Sequence, residues 1–527
     1  MKKIIYSIVV SMIFVACNDY LDTVPSKGDN EVINRSEQIE ALLNNSSIFN
    51  AKTSVVVSSS DDIGLTIDML DQIGWLSESY LGGLVFSVDD IANNQWGDEV
   101  WEDGFKKVFT ANLILNDLDN VEDLNDQSRQ AYIAEARFMR AMANWNLVQT
   151  YCVPYAQENL NEPGLPLKQS TDYEESMIRS SIQDTYAFIL ADLQAALETP
   201  VCDVDLRWRV SKPAVQAMLA RYYLFTQDYA QAAQYAQEAL KSTKATLQDY
   251  NSLKLVENNL WNPSSGKENK VYYSELYQYA PNQMADYQEN YYSQYFAVNS
   301  GNYLIPSESL IALYDQENDL RFKQFFVRYG LWDTGLSGFG DDILYCKFKH
   351  YISGDEVQSG PTVPEMLLTA AEALARQNKV SEAMQYLNKL RRARIRQGAE
   401  LVDLSADSQE EAISLILEER HREMPFVMRW FDIRRLAFNE TTADDVTVER
   451  TFYAASNNVI DYSMVYKYTL PAKSKRYAIP LTNLEITRSG NQLVQNNYTA
   501  GDILKEKVEI NKDEDDERNE EDWNYDE

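Results

Sequence analysis

Apolar residues recur at helical spacing through most of this chain. In Ala131–Tyr151 the positions Ile133, Ala136, Phe138, Met139, Met142, Ala143 and Leu147 fall on one broad face, which predicts a helix that Pro154 stops. Phe109–Leu118 and Ser181–Leu197 repeat the pattern. Two segments predict helix–turn–helix units: Pro213–Lys241, turning at Thr226–Asp228, and Pro364–Arg394, turning at Gln377–Lys379. In both, small alanines let paired helices approach closely, and neither unit can bury its apolar face alone. Each is about as long as a tetratricopeptide-type hairpin, roughly 30 residues. A further helix is predicted over 410–439, and 465–498 reads as loop and short strand.

Between the two hairpin units, over about 242–360, the helical period fades. Tyrosines crowd the stretch, and glycine and proline punctuate it. Long loops on a rigid scaffold are where binding surfaces usually lie. Residues 18–60 read as an irregular tether. Asp513–Glu527 sets ten acids against Arg518, with little apolar to fold around, and is expected to be disordered.

The first residues change the picture. Lys2 and Lys3 precede an apolar run from Ile4 to Ala16, followed by Cys17. The run is too short to span a bilayer and suits a signal peptide. A cysteine at the cut reads as a bacterial lipoprotein box, so residues 1–16 are expected to be removed and Cys17 to carry lipid. Several acyl chains on one cysteine anchor stably where one does not.

Composition removes some classes. There are 81 acids against 48 lysines and arginines, a formal net charge of −33. That excess excludes nucleic acid as a partner. The four cysteines show no metal-ligand spacing and cannot build a disulfide scaffold. The two histidines, His350 and His421, lack the spacing of a metal motif. No nucleophile elbow or phosphate loop occurs, and no catalytic residue, metal or cofactor is assigned. Acid pairs such as Asp61-Asp62, Asp89-Asp90 and Asp341-Asp342 are what so acidic a chain yields by chance. Glu418–Leu436 mixes acids and arginines at spacings such as Arg429/Asp432 and Asp432/Arg435, read as an ion-pair lattice fixing one helix.

Several segments in order resemble the RagB/SusD family of Bacteroidetes outer-membrane lipoproteins. Cys17-Asn18-Asp19-Tyr20-Leu21-Asp22 looks like its mature N-terminus, and Trp101 with Ala111-Asn112 like its first long helix. Ala134–Ala141, Ile305-Pro306-Ser307 through Asp319–Phe322, Ala371-Glu372-Ala373 and Leu387–Arg391 resemble further family segments. Glu419–Arg435, Ile479-Pro480 and Gln495-Asn496 resemble its C-terminal signatures. The chain departs from the family where Pro425 and Val427 interrupt the helix signature, and where Pro and Gly are missing after Asn496.

The resemblance implies a mostly α-helical protein, a tetratricopeptide-like scaffold of about four helix pairs with long irregular insertions. It implies one domain over 17–504, divided at about 241 and 360, with an acidic tail over 505–527. It also implies a non-enzymatic, surface-exposed outer-membrane lipoprotein. Such a protein captures oligosaccharide, or in some members peptide, for a SusC-like TonB-dependent β-barrel transporter. A surface glycoside hydrolase is the remote alternative. The ligand surface implied for this chain is Trp75, Asn93, Asn94 and Trp96, then Tyr287, Tyr291, Tyr292 and Tyr295, with Trp332. Trp101 is assigned to the core. Aromatic faces would stack on sugar rings, and the amides would take hydroxyls.

Overall fold

Asn125 opens the longest helix by accepting a hydrogen bond from the Ser128 amide at 2.8 Å. Side-chain caps of this kind start most of the long helices in this computed structural model, satisfying amides that have no partner inside the helix. The structure describes residues 33–45, 50–51, 55–67, 69–70, 76–95, 98–198, 206–262, 267–275, 287–297, 304–327, 347–348, 356–400, 402–456 and 459–509. Cys17, Trp75, Trp96 and Trp332 lie outside them.

The fold is mostly α. Among the described residues the helices run, in chain order, α1 (Ser36–Leu43), α2 (Glu78–Leu84), α3 (Val88–Ala92), α4 (Glu99–Asp117), α5 (Asp126–Tyr151), α6 (Ile182–Glu198), α7 (Lys212–Phe225) and α8 (Tyr229–Ala239). They continue with α9 (Glu308–Ala312), α10 (Leu320–Phe325), α11 (Val363–Arg376), α12 (Val380–Arg394), α13 (Gln409–Glu423), α14 (Val427–Leu436) and α15 (Asn483–Arg488). Helix α4 packs on α5, α5 on α6, α6 on α7, and α7 on α8. Helix α8 packs on α11, which also touches α12 and α13. The result is a tetratricopeptide-like helical layer in which sequence-distant pairs are neighbours.

Both predicted hairpin turns fall where the spacing places them, after Phe225 and after Arg376. Gln227 and Asn378 adopt φ of 65° and 60° in the two turns. The buried alanines Ala232, Ala233, Ala236 and Ala239 of α8 form its contact face.

Three expectations need correction. The helix predicted over 410–439, with its lattice segment Glu418–Leu436, is two helices. Pro425 forces Met424 out of helical geometry (φ −133°, ψ 64°), and Phe426 sits at φ 63°. The Phe426 amide donates to Asp62 Oδ2 at 2.6 Å, which fixes the break. The tether over 18–60 is partly core: Ile39 of α1 and Val56 are fully buried. Of the stretch 465–498 read as loop and short strand, 465–470 complete the middle strand of a three-stranded antiparallel sheet of β1 (Val448–Ser456), β2 (Val459–Leu470) and β3 (Leu504–Val508), in the order β3-β2-β1. Third, β3 runs into the span assigned to the acidic tail.

Candidate functional site

Asp98 sets the geometry at the start of α4. Its carboxylate accepts from the amides of Val100 and Trp101 at 3.1 and 3.2 Å and from the Tyr151 hydroxyl at 2.5 Å. Burial pushes its carboxyl up, against the lowering effect of the Tyr151 hydroxyl. Trp101, almost wholly buried, packs edge-on to Tyr151 at 5.1 Å, which places it in the core as the sequence suggests. This anchoring fixes the segment just before it, where α3 ends.

Asn93 is the residue after α3 and is exposed; Asn94 follows, half-buried. The Asn483 side-chain amide, at the start of α15, donates to Asn93 Oδ1 at 2.8 Å. One turn along α15, Arg488 pairs with Glu102 of α4 and with Glu485 at 2.7 Å. Asn93, Asn483, Arg488 and Glu102 are all exposed, so one contact between amides and one between ions tie the two ends of α15 to the N-terminal part of the chain at the surface. Amides that both donate and accept, beside fixed ions, match the hydroxyls of a polyol or sugar. Asn483, Arg488 and Glu102 were not singled out by the sequence: Asn483 lies 390 residues from Asn93 and Arg488 lies 386 from Glu102, and only the folded chain brings the partners of each pair together.

The four insertion tyrosines expected at the ligand surface do not join these contacts. Tyr287, Tyr291, Tyr292 and Tyr295 are buried, with 7%, 2%, 4% and 3% of their surface exposed. Tyr292 packs edge-on to Phe138 of α5 at 5.0 Å. The Tyr291 hydroxyl donates to the Ala239 carbonyl at 3.0 Å. Tyr295 stands in the short strand Tyr295–Ala297, paired with Gln358 of the strand Glu356–Gln358. Gly360 permits the crossing, since a Cβ there would stand 2.0 Å from the Tyr292 carbonyl oxygen. The expected stacking faces are therefore core faces: the segment threads between helices and leaves these rings no room for a ligand.

The charged residues around α13 and α14 form an internal lattice. Arg435 grips Glu372 with two bonds of 2.7 and 2.6 Å and Asp432 with one of 2.8 Å. Arg420 takes the other Asp432 oxygen at 2.6 Å. Arg429 bonds Asp61 rather than Asp432. Deeper, Arg321 meets Asp319, Glu419 and Glu423, and Arg394 meets Glu423 and Glu289, all almost wholly buried. Burial alone would raise Glu419; the guanidiniums of Arg321, Arg422 and Arg391 overcome it and hold the carboxyl down at about 2. Such a lattice fixes how helices sit together.

His421 Nε2 lies 2.5 Å from Asp62 Oδ1, with Asp61 alongside, so that one ligand atom from each falls within 4.8 Å of the others. Both Asp61 oxygens already accept from Arg429, and Asp62 also holds the Phe426 amide. The guanidinium supplies the positive charge that a cation would bring.

Comparison with known proteins agrees with this fold. A SusD-like family profile described as "Starch-binding associating with outer membrane" matches residues 19–224, and the SusD family profile matches residues 363–498. SusD-like protein P2 of Formosa agariphila is 24% identical over 441 residues, covering 75% of this chain and 79% of the relative. A solved SusD-like protein of Bacteroides fragilis superposes with a TM-score of 0.59 at 17% identity, covering 89% of this chain and 98% of that one. A structure described as a laminarin-binding SusD-like protein superposes with a TM-score of 0.51 at 18% identity, covering 88% and 99%. With two profiles of one family matching the two ends of its helical scaffold in order, this chain belongs to the SusD/RagB family.

Proposed function

We propose that the protein is a lipid-anchored, surface-exposed binding protein of the outer membrane, which captures oligosaccharides and hands them to a SusC-like TonB-dependent transporter. One observation carries the reading. The Asn483 amide bonds Asn93 and Arg488 pairs with Glu102, two contacts that join the stretch matching the starch-binding description to the second matched stretch.

Support comes from the fold shared with a relative described as laminarin-binding. In this reading the amides and ions of the patch take sugar hydroxyls. Trp75, Trp96 and Trp332 supply flat apolar faces for the C–H sides of the rings. Cys17 carries the lipid, and residues 17–504 act as one domain. The function is capture, with no bond made or broken.

A glycan array probed with the purified mature protein tests this. Binding to a defined oligosaccharide class is expected, with the signal reduced in Asn93→Ala and in Asn483→Ala. Retention of peptides with no glycan signal would overturn it.

A further inference from the structure

Helix α13 has one buried face and one partly exposed face. Ala412, Ile416, Glu419, Arg420 and Glu423 are buried toward the scaffold. The other face, Glu410, Ile413, Ser414, Leu417, Glu418 and His421, recurs at three- and four-residue steps and lines an open groove of about 770 Å³. The opposite wall is the end of α14 and the turn that follows it, with Leu436, Glu440, Asp444, Asp445 and Val446. Ile413, Leu417 and Val446 remain half-exposed there.

The charges of the groove do not balance. Its bases are all engaged: Arg376 with Glu372 and Asp444, Arg429 with Asp61, and His421 with Asp62. Among the described residues no cation stands within ion-pair distance of Glu410, Glu440 or Asp445. Burial and the like charge of Asp444 push the Asp445 carboxyl up, against the lowering effect of Lys473. The groove is therefore an apolar floor between uncompensated carboxylates.

We propose that this groove docks a lysine- or arginine-rich extended segment of a partner polypeptide. Long cationic side chains match both of its properties: their methylene stems cover Ile413, Leu417 and Val446, and their charged ends reach Glu410, Glu440 and Asp445. A neutral oligosaccharide does not answer that charge. The one tyrosine in the lining, Tyr229, has the Arg376 guanidinium 5.3 Å from its centre. This surface is separate from the Asn93–Asn483 patch and asks for a different ligand chemistry.

Fluorescence anisotropy with labelled hexalysine, on the full mature chain, tests the proposal. Saturable binding that weakens with added salt is expected. The variant Glu410→Gln/Glu440→Gln/Asp445→Asn should weaken it about tenfold, as three exposed charge pairs would. Neutralising three exposed acids elsewhere, Glu37→Gln/Glu122→Gln/Glu174→Gln, should change it less than about twofold. Hexalysine should also slow amide exchange in 409–423 and 439–446. Equal loss in the two triple variants, or no exchange protection in α13, would show attraction to the acidic surface at large and overturn the groove.

Discussion

Arg429 and Asp61 are joined by two hydrogen bonds of 3.0 and 2.8 Å across 368 residues of sequence. The pair ties α14 to the segment that also supplies Asp62 to the Phe426 amide, so the broken helix at Pro425 and the N-terminal part of the core hold one another. Burial would raise the Asp61 carboxyl; the Arg429 guanidinium overcomes it and holds it below the ordinary range. Removing either partner strands the other in a largely buried site. Arg429→Gln is expected to cost about 1–3 kcal/mol, read as a lower urea midpoint at unchanged slope.

Tyr292 tests the corrected placement of the insertion tyrosines. It is buried against Phe138, so Tyr292→Ala should cost about 3–5 kcal/mol through the cavity it leaves. Ligand affinity of the folded protein should stay as in the wild type. Normal thermal stability with weakened binding would return Tyr292 to the ligand surface.

The deep lattice predicts an acid dependence. The Glu419 carboxyl titrates at about 2 in the folded chain, below its ordinary 4.5. Its contribution is therefore complete above pH 4.5 and fades as the pH falls toward 2. Glu419→Gln should destabilise the protein by about 3–5 kcal/mol at neutral pH, because Arg321 and Arg391 lose their shared acid. The gap from the wild type should narrow between pH 4.5 and pH 2 in denaturation curves. A constant gap would contradict the assignment.

The anchor is tested by Cys17→Ala. Loss of the lipid should move the protein from the membrane fraction to the soluble fraction, and mass spectrometry should show no acyl mass. Unchanged membrane retention would mean that something other than Cys17 holds it there.

Much of the scaffold is legible in the chain. Alanine spacing and the turns after Phe225 and Arg376 mark the hairpins, since each signal is local. The break at Pro425 was present in the sequence too, but the charged pattern running across it reads as continuous. The tyrosines misled for a physical reason. Residues 287–294 are irregular backbone and buried at every position but Gln288, so their burial has no period to read, and the density of tyrosine there resembles a binding surface. Of the sheet of Val448–Ser456, Val459–Leu470 and Leu504–Val508 the sequence reading reaches only short strand from 465 on, although the first two strands are rich in β-branched and aromatic residues. Asn93 and Asn94 carried a local signal, whereas Asn483 and Arg488 join them only through tertiary packing.

The most direct test of the central claim is a calorimetric titration of the purified mature protein with a panel of neutral α- and β-glucan oligosaccharides, repeated on Asn93→Ala/Asn483→Ala and on Trp96→Ala. Saturable heat with at least one oligosaccharide, reduced in both variants while their melting midpoints hold, is the predicted result. The absence of heat with every glycan, or binding undiminished in both variants, would contradict it.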